Sequence, residues 1–194
     1  MLIADLQRNE EWHLARAGRL TASNFGAALG LNKYKSRQEL WREMTGKVPP
    51  FEGNEMTDWG DLHEPDALHA YEVATGFLVE PAPFIPYSDF SGCSPDGWVL
   101  DGDVRGLAEF KCPFSQRVHE SIPDYYLAQV IGQLGITGAP WCDFVSWTPH
   151  ETRIIRVDAQ PKTWDRMEKE LRAFWACVLT DKEPKRAKAF QLKE

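Results

Sequence analysis

The chain has 194 residues, a formal net charge of −7 and a hydrophobic content of 43%. These values predict one folded domain over residues 1–194 and exclude a disordered chain. No apolar run reaches the roughly 18 residues of a membrane span, and the first residues lack a signal peptide's basic and apolar regions. We therefore expect a cytoplasmic location and no membrane partner. The acidic balance excludes a broadly basic surface, although local basic residues can still contact a nucleic acid.

Cysteine spacing bears on metal and redox chemistry. Cys93, Cys112, Cys142 and Cys177 are far apart and form no C-x-x-C pair. Reduced thiols are therefore favoured over a zinc or iron–sulfur site.

The N-terminal part predicts two short helices, one over residues 10–18 and one over residues 24–29. Between them the chain runs from Arg16 to Ser23 and combines basic residues, hydroxyl groups and a helix N-terminus. Such a place can hold a phosphate. From these residues alone, surface arginines and a capping serine are the preferred interpretation.

Two longer helices and a loop follow. One helix runs from the capping residue Ser36 to Gly46, and the other from Trp59 to Gly76. Residues 47–58 form the loop between them. Pro65 is tolerable only near the first turn of the second helix. Glu64 begins a largely buried stripe of that helix, so it is either salt-bridged or functional.

A hairpin carries the acidic residues of greatest interest. Its strands, 97–100 and 104–111, are joined by an Asp-Gly turn. Alternation along the second strand places Glu109 and Lys111 on the same face. If Asp96 meets Glu109, the two carboxylates would offer the oxygen ligands that magnesium prefers. With Lys111 beside them to hold or activate a water, this layout predicts a metal-dependent phosphodiesterase.

A helix from Tyr125 to Ile136 follows the hairpin. Gln129 and Gln133 fall on one face of this otherwise apolar helix. Buried amides without partners are costly, so the two glutamines predict a polar site beneath the helix.

The remaining elements predict the fold class. Residues 77–88 contain three prolines and predict an edge strand, and residues 142–148 and 152–158 predict a second hairpin. A closing helix with an apolar stripe begins at Pro161, and the charged tail at 181–194 is expected to fray. The order of elements predicts an α/β fold with a mixed central β-sheet flanked by helices.

Several motifs around the acids resemble those of a known family. Pro95-Asp96 followed by Glu109-Phe110-Lys111 is the signature of PD-(D/E)XK nucleases. The phage lambda exonuclease / YqaJ viral recombinase family resembles this chain in further motifs: Trp12-His13 with Arg16, Leu20 to Ser23, Trp59-Gly60 with Glu64, Cys93 to Gly97, Glu109 to Phe114, and Ala128 to Val130. These motifs occur in the family's order over residues 12–133. The resemblance implies a restriction-endonuclease-like core.

The resemblance also implies a catalytic site. Its metal ligands would be Asp96, Glu109, the backbone carbonyl of Phe110, and Glu64. They would hold two Mg²⁺ ions, with Mn²⁺ as a substitute, for an in-line displacement. Lys111 would position the attacking water and help to deprotonate it, and Gln129 would lie near Lys111.

The substrate implied by the resemblance is an end of double-stranded DNA with a 5′-phosphate. Family members are 5′→3′ exonucleases that release mononucleotides and leave a 3′ overhang for recombination by strand annealing. The residues at the family's phosphate-binding positions are Arg16, Ser23, Ser94 and Arg117, which changes the interpretation of the stretch from Arg16 to Ser23. Further DNA contacts would come from Lys33 and Lys35. Met56 or Phe51 would split the terminal base pair, and packing of these two side chains against the body of the protein stays equally open.

The family further implies a ring-shaped homotrimer, a single-strand annealing protein as partner, and a phage or prophage gene in a bacterial host. Two other functions stay open: a structure-specific endonuclease of the same superfamily, and a catalytically inactive DNA-end-binding subunit. The phosphate pocket argues against the first, and the complete set of Asp96, Glu109 and Lys111 argues against the second.

Overall fold

Two β-sheets and the surrounding helices make up residues 9–186 and 188–192, the part of the chain that the computed structural model describes. The helices are α1 (Glu10–Arg16), α2 (Phe25–Ala28), α3 (Arg37–Met44), α4 (Glu55–Thr75), α5 (Asp124–Thr137) and α6 (Pro161–Leu179), with a 3₁₀ turn at Ala22–Asn24. The strands are β1 (Leu20–Thr21), β2 (Leu78–Pro81), β3 (Ile85–Pro86), β4 (Ser91–Cys93), β5 (Gly97–Asp101), β6 (Val104–Lys111), β7 (Trp141–Thr148) and β8 (Glu151–Asp158).

The larger sheet has the strand order β2-β5-β6-β7-β8. β6 pairs in parallel with β7, and the other neighbours are antiparallel. Helix α5 covers one face, where Leu107 packs in a cluster with Val130 and Leu134. Helix α4 covers the other face, where Phe110 packs in a cluster with Tyr71. The predicted α/β fold with a mixed central sheet flanked by helices is confirmed, and so are both hairpins.

A second, smaller sheet has the order β1-β4-β3. β1 runs parallel to β4, with Leu20 opposite Ser91 and Thr21 opposite Gly92. The predicted single edge strand at 77–88 is wrong in this respect: β2 lies at the edge of the larger sheet, whereas β3 belongs to the smaller one. Strands of two or three residues contain too few positions for a detectable alternation.

Helix α4 begins one turn earlier than predicted. The Asn54 side-chain oxygen accepts hydrogen bonds from the backbone amides of Met56 (3.0 Å) and Thr57 (3.2 Å). In return, the Thr57 hydroxyl accepts a hydrogen bond from the backbone amide of Asn54 (2.7 Å). This reciprocal cap starts the helix at Glu55. The predicted loop at 47–58 is therefore too long, and Pro65 lies in the middle of the helix rather than near its first turn. One backbone hydrogen bond is lost there because proline has no N–H.

The tail is not frayed in its described part, residues 182–186 and 188–192. The Phe190 amide donates to the Leu29 carbonyl (3.1 Å), and Leu192 is buried in a cluster with residues of α6. Near the tail's start, Arg42 forms an ion pair with Glu183 (2.6 Å). The charged composition suggested fraying. The apolar side chains of Phe190 and Leu192 nevertheless hold the segment in place, because they are buried or partly buried against the folded domain.

The other predictions about local structure hold. The Ser36–Glu39 capping box opens α3, and Pro161 is in the first turn of α6, whose apolar stripe is buried. All four cysteines are free thiols. Among the described residues, no helix is long and apolar enough to cross a membrane.

Candidate active site

A cleft opens at the C-terminal end of β6, between α4 and α5. Its lining comes from the first turns of α4, the turn before β5, the end of β6 and the segment that follows: Met56, Thr57, Gly60, Asp61, Glu64, Asp96, Phe110, Lys111, Cys112, Pro113, His119 and Tyr126. Four of the predicted site residues therefore lie together in this lining: Asp96, Phe110, Lys111 and Glu64.

Asp96 is fixed to β6 by a short backbone contact. The last β5–β6 pair is Gly97 with Ala108, so β5 offers no partner to the amides beyond that point. The Phe110 amide instead donates to Asp96 Oδ2 at 2.6 Å. A carboxylate that replaces a strand carbonyl as acceptor is held in one orientation. This contact places Asp96 directly beside the end of β6.

Glu109 lies beneath the cleft floor and is only 1% exposed. Its Oε1 atom accepts from Gln129 Nε2 (2.6 Å) and from the Lys111 ammonium, and its Oε2 atom accepts from Gln133 Nε2 (2.6 Å). The predicted polar site beneath the two glutamines is confirmed. The predicted alternation is also correct, since Glu109 and Lys111 both point toward α5.

The carboxylates repel one another electrostatically. Burial raises the pKa of Asp96 well above its usual range, and the nearby Glu109 and Glu64 carboxylates raise it further. Burial alone would lower the pKa of Lys111, but Glu109 and Asp96 outweigh it and raise that pKa above its ordinary value. Lys111 is therefore a cation near neutral pH and cannot accept a proton from water while it is paired with Glu109.

Helix α4 is anchored so that Glu64 faces the cleft. Seven residues, or two helical turns, beyond Glu64 is Tyr71, whose hydroxyl donates to Asp143 Oδ2 at 2.7 Å. Arg156 donates to both oxygens of Asp143 (2.8 and 2.9 Å). Asp143 is only 2% exposed, so this buried network of hydrogen bonds ties α4 to strands β7 and β8.

The site suits a hard divalent cation in charge and donor type. Asp96, Glu109 and Glu64 supply oxygen donors, and a cation would offset both causes that raise the pKa of Asp96, which are burial and then repulsion from the other two carboxylates. In the described ranges, no three His, Cys, Asp or Glu side chains already converge as a ready-made metal site. Lys111 occupies one Glu109 oxygen, so binding through that atom requires the lysine to move away.

Two of the four predicted phosphate ligands are in contact. An Arg16 Nη1 atom lies 3.3 Å from Ser94 Oγ, and Trp12 Nε1 donates to the same oxygen at 3.0 Å. The Arg16 guanidinium stacks 4.0 Å above the Trp12 ring, and burial lowers the pKa of Arg16. Sequence reasoning gave Trp12 no role in the pocket, although its spacing of four from Arg16 on one helix was the available signal.

Ser23 and Arg117 are not bonded to this pair. Ser23 is exposed, and its hydroxyl lies 3.0 Å from Thr21 Oγ1. Because β1 runs parallel to β4, Ser23 and Ser94 both lie just beyond the C-terminal ends of paired strands. Arg117 is exposed in the segment between β6 and α5, and the described residues provide no hydrogen bond or ion pair to it.

Three of the predicted DNA-contacting residues differ in how freely they could reach DNA. Lys33 is exposed and lies 4.8 Å above the Tyr34 ring. Lys35 forms an ion pair with Glu43 at 2.7 Å, and this pair neutralises part of the positive charge that Lys35 could offer to DNA. Met56 is 62% exposed at the cleft rim.

Sequence reasoning missed His119, whose ring lies 5.7 Å from that of Tyr126. The His119 amide donates to Ser146 Oγ (2.9 Å). Burial, followed by the positive charges of Lys111 and Lys33, lowers the pKa of His119. A single histidine in an irregular segment offered no pattern from which to find it.

The sequence signature of the YqaJ-like viral recombinase domain matches residues 11–140, more than half of the chain. The chain belongs to this family. The match spans every residue that we predicted for the site, from Arg16 to Gln129.

Curated relatives of this YqaJ-like chain are longer proteins. The uncharacterized protein YqaJ of Bacillus subtilis (strain 168) is 30% identical over 137 residues, which cover 66% of this chain and 42% of that protein. Protein D345L of African swine fever virus (strain Badajoz 1971 Vero-adapted) is 25% identical over 160 residues, covering 68% of this chain and 46% of its own length. The chain thus spans less than half the length of these two relatives.

Solved structures extend the likeness of the YqaJ-like domain to nearly the whole chain. An alkaline exonuclease (LHK-Exo) from Laribacter hongkongensis superposes with a TM-score of 0.77 at 30% identity, covering 89% of this chain and 94% of the other. The same protein in complex with dAMP gives a TM-score of 0.78 at 29% identity over the same shares. The expected family and the restriction-endonuclease-like core are therefore confirmed.

Proposed function

We propose that the protein is a magnesium-dependent 5′→3′ exonuclease that degrades one strand of double-stranded DNA from a phosphorylated end. The observation that carries the proposal is the arrangement of Asp96, Glu109 and Lys111 at the end of β6, two residues from the Ser94–Arg16 contact. Family membership and the likeness to an alkaline exonuclease support it.

The chain's own residues divide the work of hydrolysis. Asp96, Glu109, the Phe110 carbonyl and Glu64 would hold two Mg²⁺ ions, and Mn²⁺ suits the same oxygen donors. Such ions supply positive charge to the leaving oxygen and activate the attacking water. Lys111, released from Glu109, would donate a hydrogen bond that orients this water toward the phosphorus. As long as Lys111 retains its proton, it acts as a donor and positive charge rather than as a base.

We attribute the 5′→3′ direction of degradation to the Arg16–Ser94 pair. A guanidinium can bind two phosphate oxygens through its planar fork, and the Trp12 face keeps that fork in place. Ser94 and Asp96 are two residues apart, a reach of at most ~7 Å. A terminal phosphate at Ser94 therefore places the next phosphodiester near Asp96, which suits the release of mononucleotides. The relative's complex with dAMP, a nucleoside monophosphate, supports this product class.

The wider role follows the family. We propose action in the bacterial cytoplasm on phage-type recombination substrates, where the remaining 3′ strand would be taken up by a single-strand annealing protein. A homotrimeric ring would keep the enzyme on DNA. The net charge of −7 suits a mostly acidic exterior around a basic DNA path that includes Lys33.

Duplexes labelled at either the 5′ or the 3′ end test the proposal directly. With Mg²⁺ and a 5′-phosphate, we expect release of labelled mononucleotide from the 5′ end first, and loss of all cutting in EDTA. Oligonucleotide fragments from internal sites would favour the endonuclease. Tight binding to ends with no cutting in Mg²⁺ or Mn²⁺ would favour the inactive end-binding subunit.

Substituting Arg16 tests the phosphate pocket separately. We expect Arg16→Ala to remove most of the preference for phosphorylated over hydroxyl 5′ ends, because a charge-assisted fork is worth about 1.5–3 kcal/mol, or ~10–150-fold. Initial rates on paired substrates with and without the phosphate measure this preference. Arg105→Ala is the matched control, since Arg105 forms an exposed ion pair with Glu80 (2.8 Å) outside the cleft lining. An unchanged preference in Arg16→Ala would show that the pocket lies elsewhere.

A further inference from the structure

Gln133 is a polar residue in the core whose side chain reaches the metal-site carboxylate. We infer that it is a positioning residue that fixes the Glu109 carboxylate for cation binding, together with Gln129. This inference rests on the proposed function, in which Glu109 holds a metal ion.

The geometry is that of a carboxylate held from one side. Gln133 Nε2 lies 2.6 Å from Glu109 Oε2, and Gln129 Nε2 lies 2.6 Å from Oε1. The glutamines are four residues apart on α5, so their side chains leave the same helix face. Each carboxylate oxygen thus receives one amide donor, which fixes both the position and the plane of the group.

The chemistry of the contact determines how the amide is oriented. An ionised carboxylate only accepts hydrogen bonds, so the Gln133 group that faces it must be the NH₂. The Gln133 oxygen then points away, and it is a buried atom without a hydrogen-bond partner among the residues that the structure describes. Gln133 is 0% exposed and has Leu134 as its buried apolar neighbour in sequence.

An unpartnered buried carbonyl makes glutamine an unfavourable choice for packing alone. A leucine or methionine would fill the space without that cost. The contact with Glu109 accounts for the glutamine, because the amide provides a donor that no apolar side chain can replace.

The two glutamines also differ from Lys111 in what happens during a reaction. The lysine contact to Glu109 must be broken before Oε1 can bind a cation in its place. The bonds from Gln129 and Gln133 do not compete with substrate, because both residues are buried beneath the cleft. They keep Glu109 in place when Lys111 leaves.

Metal titration of the intact protein without DNA tests the inference. Isothermal titration with Mg²⁺ and Mn²⁺ is run on the wild type, Gln133→Met and Gln133→Leu. Loss of a residue that orients a metal ligand typically weakens binding 10–100-fold, so we expect at least about a tenfold rise in Kd for both ions. In nuclease assays, raising Mg²⁺ should recover kcat, whereas the KM for DNA should stay within about twofold of wild type.

Ile131→Val is the matched control, because Ile131 is buried on the same helix and packs with Phe25 and Met167 in a cluster to which the described part of β6 contributes no residue. It should leave the metal Kd unchanged. If either Gln133 variant folds by circular dichroism and binds both ions like the wild type, the inference is wrong. If neither folds, Gln133→Glu replaces them: its added negative charge beside Glu109 should change metal affinity, and unchanged affinity would equally overturn the inference.

The proposed function fails in a distinguishable way. If the wild type itself binds neither ion, and Asp96→Asn gives the same titration, there is no metal site for Gln133 to organise. A wild type that binds and cuts, beside a Gln133→Met variant with the same Kd, would leave the proposed function intact and remove only the inference.

Discussion

Lys111→Met is expected to reduce kcat by about a thousandfold while leaving DNA binding nearly unchanged. Methionine preserves much of the length and the apolar stem of lysine but cannot donate a hydrogen bond or carry charge. In the structure the ammonium lies 4.9 Å from the centre of the Tyr126 ring and contacts Glu109, so removing it takes away the positive charge beside Glu109 and Asp96. Single-turnover cleavage at saturating enzyme measures the chemical step, and fluorescence anisotropy with a labelled duplex in Ca²⁺ measures binding.

A surface lysine provides the control for this experiment. Lys47 pairs with Asp181 away from the cleft, so Lys47→Met makes the same change in net charge and should cut at the wild-type rate. Lys111→Arg retains a cation but not the size of the ammonium, and an intermediate rate is expected. Cleavage by Lys111→Met within about tenfold of wild type would contradict a catalytic role for this side chain.

Asp96→Asn is expected to abolish cutting and, without metal, to stabilise the fold. Asparagine retains an oxygen to accept the Phe110 amide but carries no charge. The wild-type carboxylate is disfavoured in the folded state by burial and by repulsion from Glu109 and Glu64. We expect a gain of about 1 kcal/mol, or roughly 2–4 °C in Tm, measured by thermal unfolding in EDTA.

The pH dependence of this difference has a definite sign. The pKa of Asp96 is higher in the folded than in the unfolded chain, so below the unfolded value of about 4 the acid is neutral in both states and Asp96→Asn changes little. As the pH rises toward the folded pKa, the unfolded state ionises first and the wild type loses stability relative to the variant. Above the folded pKa the difference is constant. Mg²⁺ binding should strengthen over the same interval, because it requires the ionised carboxylate.

Asp103→Asn is a suitable control for both measurements, since Asp103 is exposed in the β5–β6 turn. It should retain activity and change Tm by less than about 1 °C. A lower Tm for Asp96→Asn than for the wild type in EDTA would contradict the repulsion that the structure indicates.

The sequence predicted the centre of the site well because β6 obeys a simple rule. Two-residue alternation was sufficient to place Glu109 and Lys111 on one face, and helical spacing put Gln129 and Gln133 on one face of a helix above a polar site. That this polar site is Glu109 emerged from the structure. The α/β class followed from the order of elements. These features depend on short-range periodicity, which a single sequence displays directly.

Features that depend on distant partners were less accessible. The extra turn at the start of α4 comes from the Asn54–Thr57 cap, and the ordered tail from the burial of Leu192. The Lys111–Glu109 contact and the pairing of Lys35 with Glu43 need coordinates because alternation and charge do not specify side-chain partners. Arg117 remains a predicted phosphate ligand that lies at the surface, with no hydrogen bond or ion pair from the described part of the chain.

The small sheet affects the order in which the site forms during folding. Asp96 and Glu109 belong to neighbouring parts of one hairpin, whereas Arg16 contacts Ser94 beside a strand pair that joins Leu20 to Ser91, 71 positions away (91 − 20). Closing the longer loop costs more entropy and raises the contact order of that step. We therefore expect Asp96 and Glu109 to come together before Arg16 contacts Ser94. Hydrogen exchange at the Leu20 amide, which donates to the Phe90 carbonyl (2.7 Å), would report when the second step occurs.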